Sequence, residues 1–170
     1  MDIDSAGFAE FYQTARDDCL RAIYASVGDR QAAEELTAEA FARAWARWRT
    51  VGHHPAPRAW VVRTALNARV SWWRRYRREV PLPDSLAEAA GRAEHDGGLD
   101  RAVDPALMGA LLGLPARQRQ VVALRIFLDL DTARTAQTLG IAPGTVTAHL
   151  ARAIATLREE LSGALEQEQR

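Results

Sequence analysis

The feature that most constrains this chain is the helical spacing of its apolar residues, together with the absence of any segment with the two-residue period of a strand. From Phe8 to Val27, apolar residues recur at intervals of three and four positions along one face. Gly28 follows, at a position where glycine commonly ends a helix. The sequence therefore predicts an all-α fold that begins with one long amphipathic helix.

Two further helices are predicted in the first half of the chain. One runs from about Asp29 to Trp48, and its apolar stripe consists of Ala33, Leu36, Ala40, Phe41, Ala44 and Trp48. Pro57 suits the first position of a helix, which is expected to cover residues 57–79. On this helix Val62 and Leu66 share one side, whereas Trp60 and Asn67 share another.

The chain divides into two predicted domains. Residues 81–104 are rich in proline, glycine, alanine and acidic residues and lack strong periodicity, which is typical of a flexible linker. We therefore expect a first small helical domain over residues 1–80, a linker over residues 81–104, and a second small helical domain over residues 105–170.

A helix-turn-helix pattern covers residues 131–161 of the second domain. Asp131 can cap a helix running to Leu139, Gly140 can supply the turn, and Pro143 can begin the last helix. A plain helical hairpin inside a bundle is the alternative. In a helix-turn-helix, the outward residues at the start of the last helix meet base edges, and here these are Thr145, Thr147, Ala148, His149 and Arg152.

Charge is distributed unevenly along the chain. The net charge is zero, but residues 41–80 hold ten arginines and one glutamate, a net charge of +9. Within them the stretch SWWRRYRRE places tryptophans beside arginines. Arginines bind phosphates and aromatic rings stack on bases, so this stretch favours a surface for single-stranded or melted DNA. An exposed, solvated helix end is the alternative.

Several classes of function are not indicated. Cys19 is the single cysteine, lies on an apolar stripe and is expected in the core of a cytoplasmic protein. His53 and His54 have no partner at metal-ligand spacing, so no metal is expected. We find no phosphate-binding glycine loop and no catalytic triad, and we expect neither an enzyme nor a cofactor. The start MDIDSAGFAEF lacks signal-peptide character, and no stretch has the length of a membrane span.

Three segments together resemble the extracytoplasmic-function (ECF) sigma factors of bacterial RNA polymerase, of an actinobacterial type. AEELTAEAFARAWARW is similar to the family's polymerase-binding helix, and PRAWVVRTALNARVSWWRRYRR is similar to its promoter-melting helix. The segment from Leu114 to Leu161 is similar to its carboxy-terminal helix-turn-helix domain. The loop from Arg49 to Pro57 matches the family's loop that holds a flipped base.

This resemblance implies partners and site residues. The first domain would bind the clamp region of the large subunit of core RNA polymerase and open the minus-10 element of promoter DNA, and the second would read the minus-35 element. An anti-sigma factor is a further candidate partner. The implied polymerase-binding residues are Glu35, Leu36, Glu39, Phe41, Ala42 and Trp45. The implied minus-10 residues are Trp60, Arg63, Asn67, Ser71, Arg74, Arg75 and Arg78, and the minus-35 residues are the five named above.

Three other classes stay open at this point. A stand-alone helix-turn-helix regulator would form a tight dimer and bind a palindromic site without polymerase. A recombinase-like enzyme would need strands and a placed nucleophile, and the sequence indicates neither. A helical adaptor would bind proteins through its acidic and basic faces and would have no DNA-dependent activity.

Overall fold

The computed structural model of the chain describes residues 3–79 and 103–168, and all regular structure within these two ranges is helical. The first module (residues 3–79) consists of α1 (Ile3–Val27), α2 (Arg30–Ala46), α3 (Trp48–Val51) and α4 (Pro57–Glu79). The second module (residues 103–168) consists of α5 (Pro105–Gly113), α6 (Ala116–Val122) with a π-helical segment (Ala123–Phe127), α7 (Thr132–Leu139) and α8 (Pro143–Glu168). The expected all-α class with two helical modules is confirmed. None of the helices in the described part of the chain combines the length and the apolar character that a membrane crossing needs.

The turn between α1 and α2 is built by two adjacent residues. Gly28 has a φ of +77°, and its N–H donates to the carbonyl of Tyr24 at 2.8 Å. The Asp29 carboxylate accepts the N–H of Ala32 at 2.7 Å and so caps α2. Because both signals are local, the sequence predicted this turn correctly.

The end of α2 differs from the prediction. The helix stops at Ala46, since Arg47 leaves the helical region with φ −123° and ψ 24°. Trp48 begins the short helix α3 instead of ending α2. The centroid of its ring lies 5.3 Å from that of Phe8 and 5.1 Å from that of Phe11. The interruption of the helix at Arg47 therefore accompanies aromatic packing against α1.

The first module is held together where α1, α2 and α4 meet. The buried side chains there include Leu20, Ile23, Val61 and Val62. The predicted apolar stripe of α2 is buried as well, except for Trp48, which is partly buried. At the start of α4, the Arg58 guanidinium donates to the Asp18 carboxylate at 2.7 Å and to the carbonyl of Thr14 at 3.1 Å. These bonds join α4 to α1 and fix the orientation of the basic helix.

The second module begins with a capped helix. The Asp104 carboxylate accepts the N–H groups of Ala106 and Leu107 at 2.8 and 3.2 Å, and Pro105 occupies the first turn of α5. After α6 the helix widens into the π-helical segment, an irregularity that the sequence did not predict. The Arg125 guanidinium donates to the carbonyl of Leu130 and ties this segment to the loop before α7.

The helix-turn-helix has the predicted form. The Asp131 carboxylate accepts the N–H of Arg134 at 2.7 Å, which caps α7. Gly140 ends α7 with a φ of +65°, and Pro143 begins α8. The buried Thr135 donates its hydroxyl to the carbonyl of Asp131 at 2.8 Å, so this polar side chain is satisfied inside the motif.

The two modules pack against each other. Helix α1 contacts α5, α6 and the π-helical segment, and α4 contacts α7. The buried apolar residues of both modules form one continuous cluster. The sequence predicted a loose tether through residues 81–104, of which the structure describes only Val103, which is buried, and Asp104, which caps α5.

Candidate nucleic-acid and partner interfaces

The first turns of α8 present polar side chains beside the turn at Gly140. Thr145, Thr147 and Arg152 are exposed, as a base-reading surface requires. The N–H of Ile141 donates to the carbonyl of Ala136 at 3.1 Å and closes the turn in front of them. The Thr147 hydroxyl donates to the carbonyl of Pro143 at 3.2 Å, which leaves its oxygen free to accept a bond from a base.

Two of the predicted base-reading residues are less accessible. Ala148 and His149 are both partly buried. The Nδ1 atom of His149 is buried and has no hydrogen-bond partner among the described residues. The imidazole therefore packs into the module, and DNA can reach less of it than of Thr145 or Arg152.

Helix α4 extends from the first module as a continuous element from Pro57 to Glu79. Arg63 and Asn67 are exposed on it. Trp60, expected on a polar face, is partly buried and packs against the core, which explains a tryptophan at this position. Ser71, Arg74, Arg75 and Arg78 belong to the same helix, but their side chains lie outside the described part of the structure.

The loop before α4 is ordered by its two histidines. The Nδ1–H of His53 donates to the carbonyl of Arg49 at 2.9 Å. The Nδ1 atom of His54 accepts the N–H of Ala56 at 3.0 Å. Both imidazole rings thus form hydrogen bonds to the backbone of the loop. Within the described ranges, no group of three or more metal-binding side chains occurs.

The predicted polymerase-binding residues of α2 separate into two sets. Glu35, Glu39, Ala42 and Trp45 are exposed. Leu36 and Phe41 are only 8% and 3% exposed, so most of each side chain packs into the core beneath α2. The separation follows from the period of 3.6 residues, which places the apolar stripe of α2 in the core and its acidic side towards solvent.

An aromatic cluster joins α1 to the exposed side of α2. The ring of Phe8 lies 5.0 Å from Trp45, and the ring of Tyr12 lies 5.0 Å from Phe41. Trp45 and Tyr12 remain 48% and 39% exposed, which is high for large rings. The sequence reasoning missed Phe8 and Tyr12 as candidate binding residues, although the aromatic run FAEFY was the available signal.

Two glutamates on the acidic side of α2 form ion pairs with arginines of the same helix. Glu39 pairs with Arg43 at 2.5 Å and Glu34 with Arg30 at 3.1 Å, each one helical turn apart. Glu35 accepts a hydrogen bond from the Gln31 amide at 3.1 Å, again across one helical turn. Exposed pairs of this kind contribute little to stability, and a partner can rearrange them readily.

Cys19 is fully buried in the first module. Burial raises the pKa of its thiol to about 12, and the positive charge of Arg58 only partly offsets this effect. A thiol with so high a pKa stays protonated at neutral pH and is a poor nucleophile there. Its expected role as a core residue is confirmed.

Comparison with known proteins gives consistent matches along the chain. The Sigma-70 region 2 family matches residues 11–79, and the Sigma-70, region 4 family matches residues 105–157. The RNA polymerase sigma-E factor of Streptomyces coelicolor is 38% identical over 96% of this chain and 94% of its own length. The ECF RNA polymerase sigma factor SigL of Mycobacterium tuberculosis is 33% identical over 77% of this chain and 75% of its own.

A solved structure shares the fold. The sigma factor RpoE of Bartonella quintana, in its complex with the anti-sigma factor NepR, superimposes with a TM-score of 0.74 at 22% identity, covering 91% of this chain and 96% of that one. The two sigma regions occur in the order that the sequence indicated, and the resemblance is confirmed. The chain belongs to the ECF family of bacterial RNA polymerase sigma factors.

Proposed function

We propose that this sigma factor binds core RNA polymerase through the exposed sides of α1 and α2, opens the minus-10 element along α4, and reads the minus-35 element with the start of α8. The observation that carries this proposal is the occurrence of sigma-70 regions 2 and 4, in that order, in one chain. Each region has exposed side chains suited to its partner.

The proposed polymerase contact combines aromatic and acidic groups. Trp45 and Tyr12 offer two large, exposed rings beside the carboxylates of Glu35 and Glu39. Aromatic residues are frequent energetic anchors of protein interfaces, and carboxylates select a basic partner surface. The clamp region of the large polymerase subunit is the proposed partner. Leu36 and Phe41 act indirectly, since they set the position of this surface.

The proposed minus-10 contact lies on α4. Arg63 and Asn67 are exposed there. The other residues that the resemblance assigned to this contact continue along the same helix, and they are Ser71, Arg74, Arg75 and Arg78. The net charge of +9 over residues 41–80 favours a melted strand, whose phosphates it attracts. The exposed part of Trp60 is available for stacking on a base.

The proposed minus-35 contact is the start of α8 in the major groove. Thr145 and Thr147 can bond bases or phosphates, and Arg152 can bind a guanine edge or a phosphate. Ala148 and His149 contribute smaller exposed surfaces. Residues 105–170 hold seven arginines and six acidic residues, a net charge of only +1, so the second module binds DNA weakly by itself and depends on polymerase to hold both modules on one promoter.

The remaining partners follow from this assignment. The polymerase supplies the catalytic chemistry, so we propose that the chain itself is a non-enzymatic factor of the cytoplasm without a cofactor. Because RpoE shares the fold and forms a complex with the anti-sigma factor NepR, we propose an anti-sigma factor as a regulator of this chain as well.

Run-off transcription with purified core polymerase on genomic fragments tests the proposal. We expect discrete transcripts that begin at defined sites and that require this chain. Binding of a palindromic site as a tight dimer, without any effect of polymerase, would support a stand-alone regulator instead, which the family matches do not favour. A preparation that never associates with core polymerase would also contradict the proposal.

A further inference from the structure

Arg58 is the residue through which α1 holds the first turn of α4. Its guanidinium donates to the Asp18 carboxylate at 2.7 Å and to the carbonyl of Thr14 at 3.1 Å. The backbone carbonyl of the same arginine accepts the thiol of Cys19 at 3.8 Å, and Cys19 is fully buried. Helix α1 therefore contacts Arg58 at both its side chain and its backbone.

The Asp18 carboxylate is itself oriented by a second arginine. Arg21 donates to one carboxylate oxygen at 2.5 Å, about one helical turn further along α1, and Arg58 donates to the other oxygen. The side chains of Asp18 and Arg58 are 31% and 44% exposed. Ion pairs at this exposure contribute little to stability, but two donors of one guanidinium on two fixed acceptors define a direction.

Arg58 lies on the side of α4 that is turned away from the proposed DNA surface. At about 100° per residue, Trp60, Arg63 and Asn67 lie about 140° to 180° from it around the helix. The buried Val62 lies only about 40° from it. A guanidinium on this side, bonded to α1, cannot reach the strand that the other three residues would face.

The orientation of the first turn matters because α4 is long. Its 23 residues span about 34 Å at about 1.5 Å per residue, so a tilt of about 5° at the first turn displaces the far end by about 3 Å. A hydrogen bond tolerates a change of only about 0.5 Å in its length. A small loss of orientation at Arg58 would therefore misplace the part of α4 that is assigned to the melted strand.

We infer that Arg58 and Asp18 form an anchor that orients α4 while the minus-10 element opens. Arg58 is thus a positioning residue and not a phosphate contact, although it belongs to the basic segment of residues 41–80. The inference rests on the proposed function, which assigns the minus-10 contact to α4. Because the exposed side of α2 does not depend on the anchor, its loss should slow promoter opening and leave binding of core polymerase unchanged.

Two neighbouring aspartates of α1 provide a matched pair of variants. Asp17→Ala and Asp18→Ala each remove one negative charge from the same turn, so electrostatics alone predicts slightly stronger attraction of DNA for both. Asp17 is 78% exposed and pairs with Arg16, not with Arg58. On a promoter that the wild-type chain transcribes, with saturating core polymerase, we expect Asp18→Ala to slow open-complex formation about three- to fivefold. Asp17→Ala should open at the wild-type rate or slightly faster. Equal rates for the two variants would overturn the inference.

The salt dependence of opening distinguishes positioning from phosphate binding. Arg58→Ala should slow opening about as much as Asp18→Ala and leave the slope of log rate against log salt unchanged, whereas Arg63→Ala should reduce that slope by about 0.7. The double variant Asp18→Ala/Arg58→Ala should open no more slowly than Arg58→Ala, since both changes remove the same contact. A fall in slope for Arg58→Ala as large as that for Arg63→Ala would show a phosphate contact and overturn the inference.

A conservative variant and two binding measurements complete the test. Arg58→Lys keeps the charge but lacks the two-donor fork, so we expect opening to stay slower than in the wild type, and full recovery would contradict the anchor. Polymerase pull-down and urea unfolding should give wild-type values for Asp18→Ala and Arg58→Lys. Loss of polymerase binding in proportion to the slower opening would show a general structural role and overturn the inference. Absence of promoter-specific transcription by the wild-type chain would instead contradict the proposed function.

Discussion

Two glycines of the helix-turn-helix should respond in opposite directions to substitution by alanine, because their backbone conformations differ: one variant should lose stability and the other should gain it. Gly140 has a φ of +65° at the turn, whereas Gly144 lies in the first turn of α8. A Cβ atom at either position would meet no atom within 4 Å, so neither substitution creates a clash. Any difference between the two variants must come from the backbone.

The expected magnitudes follow from the two conformations. A left-handed residue with a Cβ costs about 1–2 kcal/mol, and Gly140→Ala regains part of this because alanine restricts the unfolded chain. We expect a net destabilisation of about 1 kcal/mol. Gly144→Ala replaces a glycine in a helix and should stabilise by about 0.5 kcal/mol. Gly140→Asn should cost less than Gly140→Ala, since asparagine tolerates the left-handed region.

Hydrogen exchange at the amides of α7 and α8 measures these changes where they act. By the same energies, we expect exchange about fivefold faster in Gly140→Ala and about twofold slower in Gly144→Ala. Amides of α2 in the first module provide the internal control. Effects of the same sign in the two alanine variants would refute the reasoning.

Three further predictions concern the first module. Trp45→Ala should weaken binding to core polymerase by about tenfold or more while changing the free energy of unfolding by about 1 kcal/mol or less, whereas Phe41→Ala should lower the free energy of unfolding by roughly 3–5 kcal/mol. Polymerase pull-down measures the binding, and urea unfolding measures the stability. If both variants weakened binding equally and neither lost stability, the account would be contradicted. The pKa of Cys19 is raised from its ordinary 9.0 to about 12, so its thiol should react with alkylating reagents at pH 8 only when the chain unfolds. The free energy of unfolding should also fall as the pH rises from about 9 towards 12, because the thiol of the unfolded chain ionises first. Arg74→Ala combined with Arg78→Ala should weaken open-complex formation and reduce the slope of log affinity against log salt by about 1.4, from about 0.7 for each phosphate contact on a single strand; an unchanged slope in a footprinting titration would count against this.

Features set by neighbouring residues were predicted well from the sequence. Gly28, Asp131, Gly140 and Pro143 each act on the backbone within a few residues, so their effect on a turn or a cap is visible in the sequence itself. The same is true of Pro57 at the start of α4. The class of fold and the helix-turn-helix followed from such local signals, whereas the two regions and their order followed from the resemblance to ECF sigma factors.

Features set by contacts distant in sequence were not predicted. The break at Arg47 accompanies the packing of Trp48 against Phe8 and Phe11, which are about forty residues earlier in the chain. The burial of Trp60 and the contact of Gly28 with Leu112 likewise depend on how helices pack. Leu36 and Phe41 belong both to the predicted apolar stripe and to the polymerase-binding set that the resemblance implied. The structure shows their burial in the core, and their part in polymerase binding stays a prediction.

The central claim is that the two modules divide the promoter between them, and sequence selection from a randomised promoter library measures this most directly. Holoenzyme containing the wild-type chain, Asn67→Ala or Arg152→Ala would transcribe the library, with Arg158→Ala, exposed further along α8, as the control. The account predicts that Asn67→Ala changes base preference only in the minus-10 element and Arg152→Ala only in the minus-35 element. Altered preference in the same element for both variants, or in neither, would contradict it.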